Sequence, residues 1–192
     1  MVLYDDASGD SGIKDGFLTN AIPCLSPNAN QRPQGQPISL LVIHNISLPP
    51  GQFGTGYVTD FFTNQLDPSR HPYFQTIAGL QVSAHLFIER KGRVTQFVSF
   101  DRRAWHAGAS SFQGVDNCND YSIGIELEGC DNIAYTDAQY DALARVSRLI
   151  LAVYPAIKLD RIVGHSEIAP GRKTDPGDAF DWARYRALLD EC

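Results

Sequence analysis

Between Gly164 and Gly177 the chain places an imidazole (His165), an ammonium (Lys173) and a carboxylate (Asp175) on one loop-rich segment, GHSEIAPGRKTDPG. Two of the three are zinc-ligand types, and a catalytic zinc takes three protein ligands while keeping a fourth position open to water. The missing ligand has to come from elsewhere in the chain, and this constrains the fold. The best candidate is His44, which closes the apolar run Ser39-Leu40-Leu41-Val42-Ile43. Such a run reads as a buried strand that delivers its last side chain to a sheet edge.

At 192 residues and 43% hydrophobic content, the chain suits a single domain with a substantial core, expected to span residues 1–192 with its body at about 15–189. A net charge of −6 and a pI near 5.2 argue against a sequence-blind nucleic-acid binder, which would carry a basic face. The stretch Met1 to Asp10 has neither the positive start nor the apolar centre of an export signal, and nothing in the chain approaches the roughly 18 consecutive apolar residues of a membrane span. A soluble, cytoplasmic protein without a membrane partner is the expectation. Cys24, Cys118, Cys130 and Cys192 are widely spaced, with no C-x-x-C, and read as reduced thiols.

Ala21 to Pro37 is rich in Pro, Asn and Gln and reads as irregular chain ahead of the first strand. Further strands are predicted at Val82 to Glu89, Arg93 to Val98, Ser122 to Glu128 and Arg161 to Gly164, with Lys91-Gly92 turning the first two into a hairpin. Thr136 followed by Gln139 is a capping-box pattern, and Tyr140, Leu143, Val146, Ile150 and Val153 recur at helical spacing. A helix over Asp137 to Tyr154 follows, stopped by Pro155. Shorter helices are predicted at Tyr57 to Leu66 and Phe180 to Leu189. Strands mixed with helices, one hairpin among them, imply an α/β fold with a mixed sheet.

The candidate site residues each have a plainer reading. His44 and His165 could be hydrogen-bonded histidines at strand ends, and Asp175 a turn carboxylate ahead of Pro176-Gly177. His85 reads as a satisfied, partly buried imidazole and His71 as a loop residue. Glu126 and Glu128 share one strand face opposite Ile123, Ile125 and Leu127, where an acidic pair is ordinarily solvated. Trp105 and His106 lie in a non-periodic segment, where an aromatic face and a polar donor would suit a sugar; a Trp plugging the core edge is the alternative.

Four stretches in register carry a resemblance: Val42-Ile43-His44-Asn45-Ile46-Ser47-Leu48-Pro49-Pro50, Ala104-Trp105-His106-Ala107-Gly108, Ser122 to Gly129, and Gly164 to Gly177. Together they resemble the zinc-dependent N-acetylmuramoyl-L-alanine amidases, and most of all the AmpD-type cytoplasmic enzymes of bacterial cell-wall recycling. The match runs from about Asp15 to about Leu189. It implies a central mixed sheet flanked by helices with one zinc in a surface groove, held by His44, His165 and Asp175. By the same resemblance Glu126 is the general base, Lys173 stabilises the oxyanion, and Glu128 is structural. Ala84 stands where many relatives have Tyr, as in AmpD-type enzymes, which puts the proton-transfer burden on Glu126. Zinc would make water a nucleophile at neutral pH, and Glu126 would carry its proton to the leaving amine.

The substrate that the resemblance implies is the amide between 1,6-anhydro-N-acetylmuramic acid and L-alanine of the stem peptide, a small muropeptide whose removal keeps a chromosomal β-lactamase uninduced. Asn45, Trp105 and His106 are the residues expected around the sugar. A lytic or phage-type amidase acting on polymeric peptidoglycan and a non-catalytic peptidoglycan-binding module are the competing readings.

Overall fold

Eight apolar positions in the two longest strands pull them side by side, and the rest of the sheet assembles around that pair. The computed structural model describes residues 12–190. The stretch Met1–Asp10 and Cys192 lie outside the described residues. The six strands of the central sheet are β1 (Ile22–Pro23), β2 (Leu40–Ile46), β3 (Leu86–Ile88), β4 (Val94–Gln96), β5 (Ser122–Glu128) and β6 (Ile162–Gly164). Their order is β6-β2-β5-β3-β4-β1. Every neighbouring pair is parallel except the β3–β4 hairpin, so the sheet is mixed as expected.

The helices are α1 (Tyr57–Phe62), α2 (Pro72–Thr76), α3 (Asp137–Val153), α4 (His165–Ile168) and α5 (Trp182–Asp190). Helix α3 starts where the capping box predicts. The Thr136 hydroxyl accepts from the Gln139 amide at 3.2 Å, and the Gln139 side chain accepts from the Thr136 amide. Its apolar stripe, with Tyr140, Leu143, Val146 and Ile150, packs with Tyr185 and Leu189 of α5 on the sheet face formed by Leu41, Ile43, Ile123, Ile125 and Leu127. Side chains of this type each contribute roughly 1.5–3 kcal/mol when fully buried, so this face anchors the fold.

The opposite sheet face is covered by two separate clusters. Leu40, Val42, Val163 and Ile168 form one, and Phe61, Phe62, Phe74, Phe87 and Phe97 form the other. Along β2, side chains on this face run Leu40, Val42, His44, Ile46, so His44 falls at the seam between an apolar cluster and its neighbour. Polar residues are concentrated there.

Several elements are shorter than the sequence predicts, for local reasons. The predicted strand from Val82 is regular only from Leu86, because the backbone at Val82 and Ser83 bonds to Asn28 and Trp105. Helix α1 ends at Phe62 rather than Leu66, with Asn64 in the left-handed conformation at φ 60°. Helix α5 begins at Trp182 because Asp181 accepts from the Arg184 amide. Within Ala21 to Pro37, two short strands form: β1 against β4, and Ala29–Gln31 against Arg102–Ala104. His71, read as a loop residue, caps α2 by accepting from the Tyr73 amide at 3.1 Å. Among the described residues no helix is long and apolar enough to cross a membrane.

Candidate active site

The three parallel strands β6, β2 and β5 end side by side, which is where open parallel sheets present their ligands. The register sets His44 directly beside Glu126 on neighbouring strands, and Gly164 opposite Ile43. One residue past Gly164, His165 opens α4 and turns back toward His44. The Asp175 loop folds over this edge: its carbonyl accepts from the Ser166 amide, and the Tyr135 hydroxyl donates to Pro176 at 2.8 Å. The Asp131 carboxylate accepts from Asn45 at 2.8 Å and from Thr174, tying the loop to the end of β2.

Three atoms converge as a result. His44 Nδ1 and His165 Nδ1 are 3.0 Å apart, and each lies 3.1 Å from Asp175 Oδ2. His165 Nε2 faces the Ala107 carbonyl at 3.0 Å, an atom that only accepts, which leaves Nδ1 as the ring nitrogen turned toward Asp175. Burial would raise the Asp175 carboxyl, but hydrogen bonds and charge from His165 and His44 outweigh it and hold it below the ordinary carboxylate range. Three potential ligand atoms thus crowd within 3.1 Å of one another, an arrangement that a cation would stabilise. Donors on a tetrahedral zinc at 2.0–2.1 Å would stand roughly 3.3 Å apart, so the spacing fits as well. His44, His165 and Asp175 can hold a metal ion.

Glu126 is buried, and its Oε2 has no hydrogen-bond partner. Desolvation, with a smaller contribution from the Asp175 charge, pushes its carboxyl well above the usual range while Lys173 opposes the shift. Glu128, two residues on and also buried, is fully engaged, accepting from the Gly54 and Arg90 amides. The two strand glutamates are therefore both buried, and of the pair only Glu126 leaves an oxygen without a partner. It lines a groove of about 710 Å³ with His165, Asp175, Lys173 and Asn45, closed on the far side by Leu48, Phe61, Ile77 and Leu80. Lys173 is exposed on the groove wall.

The expected sugar contacts are placed differently. Trp105 stands outside the groove, its indole N–H donating to Asn30 at 3.0 Å beside the short Arg102–Ala104 strand. The His106 ring is buried at the groove floor with both nitrogens occupied, 2.9 Å from His44 Nε2 and 3.0 Å from the Ser122 hydroxyl. Neither ring nitrogen is left for a sugar. Asn45 does line the groove, with its amide committed to Asp131 and the Pro176 carbonyl. His85 is fully buried; its Nδ1 accepts from the Gly124 amide, and burial together with Arg32 lowers it to about 3. Asp131, Tyr135 and Asn119 carry no motif of their own and were not readable in the sequence.

The N-acetylmuramoyl-L-alanine amidase family model matches residues 34–178, which contain every one of the converging groups. The chain belongs to this family. Among relatives, it is 57% identical over 174 residues to the 1,6-anhydro-N-acetylmuramyl-L-alanine amidase AmpD of Salmonella typhimurium, covering 91% of this chain and 92% of that one. A crystal structure of a selenomethionine AmpD derivative superposes with a TM-score of 0.90 at 55% identity, over 92% of this chain and 98% of that one. The Escherichia coli amidase AmiD, solved with anhydro-N-acetylmuramic acid-L-Ala-D-γ-Glu-L-Lys, is 31% identical with a TM-score of 0.58, over 82% of this chain and 60% of AmiD. Within this amidase family the fold seen here, a mixed sheet flanked by helices, is therefore the shared one.

Proposed function

We propose that this amidase hydrolyses the amide between 1,6-anhydro-N-acetylmuramic acid and L-alanine of the stem peptide, using one zinc held by His44, His165 and Asp175. The convergence of those three donors beside the unpartnered Oε2 of Glu126 carries the reading. When bound, zinc supplies a Lewis acid that polarises the scissile carbonyl and makes water nucleophilic at neutral pH.

The remaining work falls to the chain. Glu126 takes the proton of the attacking water, because it lines the groove and its carboxyl has no hydrogen-bond partner at Oε2 to hold it elsewhere. It then returns the proton to the leaving amine of L-alanine. Lys173, on the groove wall, meets the negative charge that develops on the carbonyl oxygen. Asn45 is positioned to offer its free amide oxygen to the sugar. The apolar wall of Leu48, Phe61, Ile77 and Leu80 takes the less polar parts of the ligand. A groove of about 710 Å³ is suited to one sugar bearing a short peptide, within the usual range for small-ligand sites.

On this reading the amidase domain extends over about residues 15–189, and the protein works in the cytoplasm, clearing muropeptides that would otherwise induce a β-lactamase. Turnover of soluble anhydromuropeptide should exceed turnover of polymeric peptidoglycan by a wide margin. Equal or faster digestion of intact sacculi would overturn the recycling role and favour a lytic amidase.

A further inference from the structure

The dipeptide His106-Ala107 touches both histidines of the candidate metal centre, one through a side chain and the other through the backbone. His106 Nδ1 lies 2.9 Å from His44 Nε2, and the Ala107 carbonyl lies 3.0 Å from His165 Nε2. We propose that His106-Ala107, pinned by Asn119, is a bracket that orients both histidine ligands and fixes their tautomers for metal binding. This rests on the zinc reading given above.

The bracket is built from three directions. The Asn119 side-chain oxygen accepts from both backbone amides, His106 at 3.1 Å and Ala107 at 2.8 Å, so one residue sets the position of the whole dipeptide. Arg172 donates to the same Ala107 carbonyl at 2.6 Å, adding a second donor beside His165. The His106 ring lies flat over β5, where Gly124 leaves room for it; a Cβ at 124 would sit 2.5 Å from the ring.

The proton positions follow from the partners. A metal on His44 Nδ1 requires the His44 proton on Nε2, which then donates to His106 Nδ1. His106 must in turn carry its proton on Nε2 and donate to the Ser122 hydroxyl at 3.0 Å. A metal on His165 Nδ1 likewise requires its proton on Nε2, and the shorter contact there, 3.0 Å to the Ala107 carbonyl against 3.4 Å to Arg172, is the one that accepts it. Groups behind a metal ligand that lock its tautomer commonly change metal affinity by 10–100-fold when removed. His106 is thus a positioning residue, and the substrate-contact role implied by its sequence neighbours does not fit its occupied nitrogens.

Zinc affinity of the purified full chain, measured by competition with a chromogenic chelator, tests this without reference to turnover. His106→Leu should weaken zinc binding by about 10–100-fold, whereas His106→Asn, which retains an acceptor near the Nδ1 position, should stay within about threefold of the wild type. Asn119→Ala should follow the first pattern and Asn119→Asp the second. Folding of each metal-free variant is checked by circular dichroism; if His106→Leu does not fold, His106→Asn and the Asn119 pair decide. Wild-type zinc affinity in folded His106→Leu or Asn119→Ala, or equal weakening in the acceptor-retaining variants, overturns the bracket. A raised KM with unchanged zinc affinity overturns it too, in favour of substrate contact. Failure of the wild type itself to bind zinc would instead remove the metal reading.

Discussion

At the scale of single residues, two buried glutamates two positions apart on β5 differ in what their oxygens touch. Glu128 accepts from two backbone amides, while Glu126, which lines the groove, leaves its buried Oε2 without a partner. Glu126→Gln should therefore lower kcat by about 10²-fold or more while zinc stays bound. Glu128→Gln should leave kcat near wild type and cost about 1–2 kcal/mol of stability through its weakened loop anchor, read by urea denaturation. A larger kcat loss at Glu128 would reverse the assignment. Lys173→Met should cost about 10²–10³ in kcat if it meets the developing oxyanion, and much less if it is only a surface charge. The three converging donors were legible in the sequence because their residue types and spacing carry a chemical demand. Trp105 and His106 look like a sugar site in the sequence because an aromatic stands beside an imidazole, and their partners Asn30, His44 and Ser122 are visible only in the fold. Asn119 was invisible: nothing in the sequence says that its oxygen will meet two amides.

At the scale of elements, the longest helix was the most legible because capping and periodicity agree over its whole length. Thr136→Ala should cost about 1–2 kcal/mol by removing the side-chain half of the α3 cap together with the hydroxyl's bond to the Arg90 carbonyl at 2.6 Å. Gln139→Ala should cost more, about 2–3 kcal/mol, because the buried Gln139 amide also donates to the Ile88 and Glu128 carbonyls, which would be left unpaired. Thermal melting of both variants, with kcat unchanged, checks this ordering; equal costs would contradict the role given to Gln139. Strand ends and short helices were less legible, since the Val82 carbonyl is claimed by the Asn28 side chain and the Ser83 amide by the Trp105 carbonyl, and only the packed chain reveals that competition. The apparent loop at His71 hid a helix start whose signal was present: a capping side chain followed by Pro72 at the first helical position.

At the scale of the whole molecule, three of the four buried histidines shape the response to acid in the metal-free protein. Burial lowers His44 to about 4 and His85 to about 3, and it takes His106 well below the ordinary value near 6.5. Between pH 6.5 and 4 the unfolded chain takes up protons on these groups that the folded chain refuses. Stability is thus fully present above about pH 6.5 and is lost as pH falls from there, at up to ~1.4 kcal/mol per pH unit for each histidine. Glu126 acts in the opposite sense: its raised folded pKa gives stability that is present below about 4.5 and lost as pH rises through the folded value, one group against three. Urea denaturation at pH 7 and pH 5 should show the loss on acidification, and His85→Gln should reduce the slope by about one proton; a flat or rising profile would contradict the burial argument. Every functional role proposed for this chain depends on a single metal site that serves the amidase groove. The most direct test strips the protein of metal, titrates zinc back, and follows release of the peptide from 1,6-anhydro-N-acetylmuramyl-L-alanyl peptide. Activity should be absent at first and rise linearly to a plateau at one zinc per chain in the wild type, with no recovery in Asp175→Ala. Full activity in the stripped protein, or recovery in Asp175→Ala at the same zinc level, would contradict that dependence.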